Sequence, residues 1–226
     1  MGKTLPVEKE VSTFDPPATH KLAREIMGKN FFGIEEAIKY YGVNPSEQQL
    51  AYLAEIPFSE EVLKSCKDTH ILIAVFLLSI IDVRSQLNSN LFRNHDSDAW
   101  YNNQAFAANK GVVGWWLVRK TPVADSLHKK NWDEQQALLD KGEQTPTARI
   151  MVYTIIGHYL ANGEHLFENV YIRCSDLDSV SCRVWVGSPG FNFRGLDIVS
   201  GRDSRQFHTD GLYHYNLGIS SARNYN

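Results

Sequence analysis

The sequence predicts an α+β fold built on a mainly antiparallel, twisted sheet with flanking helices. Three observations predict it. Helix-capping signals recur through the first 165 residues, and strand-like runs rich in Val, Ile and aromatic residues lie between and after them without strict alternation. The chain has 226 residues, 43% hydrophobic and 12% aromatic, which is enough to bury one core. Disorder, collagen and coiled coil are thereby excluded for the chain as a whole.

Residues 1–30 carry charge, Thr and the prolines Pro6, Pro16 and Pro17, and this composition reads as a flexible N-terminal arm. Ile34, Ala37, Ile38 and Tyr41 then fall at helical spacing, with Gly42 placed to end the helix. Ser46 and Gln49 have capping-box spacing ahead of Leu50 and Leu53, and Ser59 followed by Glu60 and Glu61 opens a third short helix through Cys66. The apolar stretch Ile71 to Ile81 reads as one buried strand within a strand-like run from Thr69 to Val83, being far shorter than the roughly 20 residues of a spanning helix.

Asp98 can cap a helix carrying Trp100, Phe106 and Ala107 that stops near Gly111, and Asn131 with Glu134 repeats the capping box. The clearest helix opens at Thr145, with Pro146 at its first position, and runs to Asn162-Gly163. Further strands are expected at Val112 to Val118, Asn169 to Cys174 and Arg183 to Val186.

Net charge is −3, from 23 basic and 26 acidic residues, so no positive field is available to hold a polyanion and nucleic-acid binding is not expected. Membrane insertion is not expected either. The N-terminal text is polar and lacks an apolar signal core, so no secretory signal is visible; the location is left unknown, with a cytoplasmic or virion-associated protein compatible and export by another route open. The three cysteines, Cys66, Cys174 and Cys182, imply no disulfide framework and suit a reducing compartment, although one Cys174–Cys182 bridge is compatible with them.

Candidate chemistry is sparse. Asp176 and Asp178, with Ser175 and Ser179, could offer oxygens to calcium; a turn with solvated acids is the simpler reading. His158 and His165 lie seven apart across a helix end, and His95 neighbours Asp96 and Asp98; neither set has zinc-site spacing, so structural or solvent histidines are expected and no metal or cofactor is assigned. Trp115, Trp116, Trp132 and Trp185 read as core or sheet-face residues. No nucleophile elbow, phosphate loop or dinucleotide fingerprint is present.

From Gly187 onward the alphabet changes. Lys, Glu, Gln, Met and Trp fill 40 of the first 186 positions. At that rate about eight or nine would fall among the last forty, where only Gln206 does. Randomising the two adenines of an AAC or AAT codon encodes every residue type except those five, and no stop codon. What it supplies is Asn, Tyr, Ser, Asp, Gly, His, Arg and Phe, the types that adaptable recognition surfaces use.

With GWWLVRKTPV, NWDEQQALL, TPTARIMVYTIIGHYLANGEHLFENVYIRCSDLDS and LGISSAR, the text from Phe31 to Arg223 resembles the variable proteins of diversity-generating retroelements. In that family a reverse transcriptase copies a template with errors at adenines, and the product rewrites the 3′ end of a target gene. The resemblance implies a C-type-lectin-like domain over 31–226, a diversified region over 187–226, and a non-enzymatic ligand-binding display protein for a protein or cell-surface target, with no cofactor. It implies a frame of Arg183 to Gly187, Gly195-Leu196, Gly211-Leu212 and a final strand Leu217 to Arg223. The varied, solvent-facing positions would be Ser188, Phe191, Asn192, Phe193, Asp197, Ser200, Arg202, Asp203, Ser204, Arg205, Phe207, His208, Asp210, Tyr213, His214 and Tyr215. The chain departs from better-known members in closing on LGISSAR where they end near Gly-Phe-Arg. None of the sugar-binding lectin signatures is present, and a lectin-like fold by itself assigns no activity. The alternative is a small enzyme of a lectin-like fold, similar to the formylglycine-generating enzymes, centred on Cys174 or on Asp176 and Asp178.

Overall fold

A computed structural model describes residues 17–93, 99–127, 130–187, 195–201 and 217–224. They form an α+β structure with two four-stranded sheets and a short two-stranded ribbon. The first sheet has the order β10-β5-β4-β2, from Ala222–Arg223, Gly114–Arg119, His70–Val75 and Phe31–Phe32. The second has the order β8-β7-β6-β9, from Asp197–Ser200, Arg183–Gly187, Tyr171–Leu177 and Leu217–Ile219. The ribbon pairs β1 (Pro17–Ala18) with β3 (Ile56–Ser59). Most pairs are antiparallel, as expected, but β2 runs parallel to β4 and β9 parallel to β6.

Between the sheets runs α8 (Ala148–Asn162), which touches β2, β4, β6 and β7. Every residue from Ala148 to His158 is buried, so this stretch has no solvent-facing stripe: protein surrounds it, and its polar members Arg149, Thr154 and His158 are buried with the rest. Its start differs from the expectation at Thr145. Thr147 is the cap, accepting from Ile150 N, because the Thr145 hydroxyl is already bonded to the Gln136 side chain. The Asp176 carboxylate also accepts from Ala148 N at this end. Gly163 closes the helix in the left-handed region, as the sequence indicates.

The capping signals place most of the other helices: α2 (Ile34–Tyr41) ends at Gly42 with φ 62°, and Ser46, Ser59 and Asn131 cap α3 (Glu47–Tyr52), α4 (Glu60–Cys66) and α7 (Trp132–Gln136). Three expectations are corrected. The run Ile71 to Ile81 is not one strand: β4 stops at Val75, and Ser79 and Asp82 form a capping box that starts α5 (Ile80–Gln86) inside the apolar text. The arm is shorter than residues 1–30, since Pro17 onward builds β1, α1 (His20–Met27) and a 3₁₀ turn, burying Ala23, Met27 and Asn30. Residues 1–16 lie outside the described residues. The final strand is not continuous either. β9 ends at Ile219, the chain passes through fully buried Ser220 and Ser221, and β10 joins the other sheet.

Smaller shifts occur elsewhere. Asp98 lies outside the described residues, and the segment after it forms a 3₁₀ turn (Trp100–Asn103) and a short α6 (Ala105–Ala108). β6 starts at Tyr171 rather than Asn169, which sits at φ 60°. Trp115 and Trp116 are core residues, and Trp115 Nε1 donates to Leu53 O at 3.1 Å.

Candidate functional site

The C-terminal region is anchored on the second sheet. The register pairs Tyr171 with both Gly187 and Leu217, and Gly187 with Asp197, so the ends of four strands meet at one end of that sheet. Local chemistry explains why these residues hold there. At Gly187 a Cβ would fall 2.2 Å from Val170 O, so only glycine lets β7 approach β6. Gly195 has φ 90°, and a Cβ there would fall 2.6 Å from the Phe92 backbone. Leu196 then exchanges backbone hydrogen bonds with Leu91 and Arg93.

Strand β9 is fixed from the opposite side. Gln135, fully buried, donates through Nε2 to Ser126 O and Leu217 O and accepts through Oε1 from Arg173. Ile219 N donates to Ser126 Oγ, and Ser220 Oγ donates to Arg119 O in the first sheet.

Of the sixteen expected varied positions, Ser188, Phe191, Asn192, Phe193, Arg202, Asp203, Ser204, Arg205, Phe207, His208, Asp210, Tyr213, His214 and Tyr215 lie outside the described residues, as does the expected Gly211-Leu212 frame. The other two do not face solvent. Asp197 is 4% exposed and takes a hydrogen bond from the Tyr171 hydroxyl at 3.0 Å and a charged contact from Arg93 at 3.2 Å. Ser200, also 4% exposed, donates to Asp178 Oδ2 at 2.6 Å. Both are polar residues consumed inside β8, a strand buried along its length, and this burial overturns the expectation that they are displayed.

Comparisons with protein-family models, curated proteins and solved structures give no match. The chemistry of the site therefore rests on its own residues.

Asp178 is not a solvated turn acid. Its Oδ1 accepts from Val180 N and Cys182 N while Oδ2 accepts from Ser200, closing the turn between β6 and β7. Asp176 caps α8, and burial raises its carboxyl above the usual range despite the Ala148 N–H and the nearby Arg149 and Arg183 charges. Both Asp178 oxygens and Asp176 Oδ2 already hold donors, and no group of three His, Cys, Asp or Glu residues among the described residues could hold a metal ion. Cys174 is fully buried, its thiol is pushed well up by burial and then by Asp176, and it donates to Ile172 O. Cys174, Cys182 and Cys66 are free thiols, so the Cys174–Cys182 bridge is not formed. His158 is buried against Glu164 and Asn162, and burial lowers its pKa; His165 stacks on Tyr159 at 4.5 Å. His95 and Asp96 lie outside the described residues. No helix among the described residues is long and apolar enough to cross a membrane.

One cluster escaped the sequence reading. Cys66 at the end of α4, His70 at the start of β4, Glu143 in the connection before α8 and Arg223 in β10 share one buried polar site. Its sequence trace is the bare spacing of Cys66 and His70; Glu143 and Arg223 are brought in by the fold alone.

Proposed function

We propose that the protein is a non-enzymatic display protein of the retroelement-diversified kind, with a C-type-lectin-like domain whose C-terminal region binds a protein or cell-surface ligand. The observation that carries this reading is the loss of Lys, Glu, Met and Trp, and of all Gln but Gln206, after Val186. Adenine-directed mutagenesis of AAC or AAT codons produces that loss without stop codons. Two features of the fold support it. The stretches 188–194 and 202–216 begin and end on β7, β8 and β9, whose backbones are locked by Gly187, Gly195, Asp197, Ser200 and Gln135. A rigid frame of this kind lets adjoining positions change with little effect on stability, because substitutions at solvent-facing sites shift it by less than about 0.5 kcal/mol. On this reading the buried Asp197 and Ser200 make β8 part of the frame, and the varied positions are those of the two stretches on either side of it.

The competing enzyme reading needs a reactive centre at Cys174 or at the Asp176 and Asp178 pair. Cys174 is a buried thiol with a raised pKa, and both acids are spent on backbone and hydroxyl donors, so this reading has nothing at those residues to recommend it.

Deep sequencing of the 3′ end of the gene, from the Val186 codon onward, in its natural population tests the proposal. Substitutions should fall within codons 188–194 and 202–216, at positions that are adenine in a nearby near-identical repeat, and should spare Asp197 and Ser200. An invariant 3′ end without such a repeat would end the display reading.

A further inference from the structure

Glu143 joins three parts of the fold through one carboxylate. Its Oε1 stands 3.8 Å from His70 Nε2 on β4 and 3.5 Å from Arg223 Nη2 on β10. The next residue, Gln144, exchanges two backbone hydrogen bonds with Ala222, at 2.9 and 2.8 Å, so the connection before α8 lies along the outer edge of β10. The facing side chains are closed off from water, His70 being 6% and Glu143 4% exposed.

Thr69 decides where the neutral ring carries its proton. A hydroxyl has one proton, and Thr69 Oγ1 gives it to Cys66 O at 3.3 Å, so the 2.8 Å contact between Thr69 Oγ1 and His70 Nδ1 is one in which the ring donates. The lone pair of the neutral ring is then on Nε2, a buried atom with no hydrogen-bond partner. A lone pair 3.8 Å from a carboxylate oxygen is repelled by it. The same nitrogen carrying a proton is attracted, at a distance suited to an ion pair and too long for a hydrogen bond. Position alone therefore favours the charged ring.

Other titratable groups surround the pair. Cys66 ends α4, Arg119 is the register partner of His70 on β5, Arg223 lies on β10, and Lys120 is bound to Asn30 Oδ1 at 3.4 Å. For His70 burial pulls down, while Cys66 and Glu143 together carry the ring above its ordinary value. Burial acts to raise the Glu143 carboxyl, but hydrogen bonding with His70, Ser221 and Asp140 N, together with the Arg223 charge, brings it down to about 2. Glu143 is thus ionised throughout the range in which a histidine titrates.

We propose that His70 and Glu143 form a proton-operated latch on the last strand: with a proton on Nε2, the imidazolium holds Glu143, and with it the connection before α8 and β10, against β4. When the proton leaves, the contact becomes one between two acceptors, and Glu143 loses its charged tie to β4 while keeping Arg223 on the strand itself. A folded ring that binds its proton more tightly than an unfolded one contributes stability that is complete below about pH 6.5 and is lost as pH rises through the folded midpoint. The last strand is therefore held more firmly in mildly acidic than in alkaline solution. This latch stands whether or not the C-terminal region varies.

The test is an NMR titration of the histidine rings in the folded full chain between about pH 9 and pH 5, with His70 assigned through bonds. Its midpoint should lie above 6.5, and at the alkaline end its nitrogen shifts should place the proton on Nδ1. Glu143→Gln should weaken proton binding at His70 about tenfold or more, a drop of about one unit in the midpoint. Hydrogen exchange at the Ala222 amide, corrected for its intrinsic pH dependence, should report a several-fold rarer opening at the acidic end than at the alkaline end. In His70→Asn, which keeps a donor to Thr69 and takes up no proton, that ratio should shrink toward one. Should either variant fail to fold, the wild-type midpoint, tautomer and Ala222 exchange decide alone. A midpoint at or below 6.5, a neutral ring protonated on Nε2, a midpoint unmoved by Glu143→Gln, or an Ala222 opening that ignores pH overturns the proposal.

Discussion

Replacing Asp178 by alanine removes one carboxylate that holds three donors at once. Val180 N and Cys182 N reach Oδ1 at 2.9 and 2.8 Å, and Ser200 Oγ reaches Oδ2 at 2.6 Å. The losses are unequal. Val180 is 48% exposed, so water can take over its N–H and the cost there is about 0.5 kcal/mol, whereas the half-buried Cys182 N–H costs about 1 kcal/mol. Ser200 is 4% exposed, and loss of its 2.6 Å bond to the carboxylate adds about 1–2 kcal/mol. The turn also keeps Ser181 at φ 66°, a conformation that non-glycine residues adopt only when their surroundings enforce it. We expect a loss of about 3 kcal/mol, equivalent to a drop of about 6–12 °C in Tm for a domain of this size, read by differential scanning calorimetry and by urea midpoint. Asp178→Asn keeps an acceptor for the two N–H groups and should lose about 1 kcal/mol. Calcium should leave the wild-type Tm unmoved, since these oxygens already have their donors. An alanine variant within 0.5 kcal/mol of wild type, or an asparagine variant as damaged as alanine, would refute this account of the turn.

Two further outcomes are expected. The Glu143 carboxyl is lowered from 4.5 to about 2 in the folded protein, so its contribution is fully present above pH 4.5 and disappears as pH falls through about 2. Urea midpoints measured from pH 6 to pH 2 should therefore fall less steeply for Glu143→Gln than for wild type, and parallel curves would contradict the placement of Glu143. Gly187→Ala puts a Cβ 2.2 Å from Val170 O and 2.9 Å from Tyr171 Cα, backbone atoms that cannot swing aside, and should lower stability by about 1–3 kcal/mol in urea denaturation; a neutral result would mean that β7 and β6 are not in this register.

What the sequence made legible was local. Gly42, Ser46, Ser59, Asn131 and Gly163 each mark a helix end through a short-range hydrogen bond or a left-handed backbone, and such signals survive without knowledge of tertiary contacts. The errors arose where two local signals competed or where distance in sequence hid the partner. Ser79 and Asp82 form a capping box, but inside ILIAVFLLSII the apolar run reads as one strand, because a buried strand and a buried helix look alike by periodicity. Thr145 is as good a cap by type as Thr147, and only the Gln136 side chain, folded against it, removes it from that role. Asp197 and Ser200 belong to the polar types that a display surface uses; their partners Tyr171, Arg93 and Asp178 lie on other elements. For the same reason the Cys66, His70 and Glu143 cluster had no readable pattern.

In the display reading, the path of the last described residues accounts for how a varied stretch can adjoin a fixed frame. After residue 216 the backbone pairs with β6 in the second sheet, crosses through Ser220 and Ser221, and pairs with β5 in the first, while Ala222 exchanges two hydrogen bonds with Gln144. Both serines are fully buried, and Ser220 Oγ donates to Arg119 O, so the crossing is tied to the first sheet before β10 begins. The stretch 202–216 is therefore closed at one end by β8 and at the other by a segment bonded to both sheets. In the display reading the ordering cost of that closure is met by bonds whose partners, Gln135, Ser126, Arg119 and Gln144, lie far upstream of Gly187. Substitution between the two anchors then leaves every one of those bonds in place, which is the physical condition for a surface to vary while its frame stays constant.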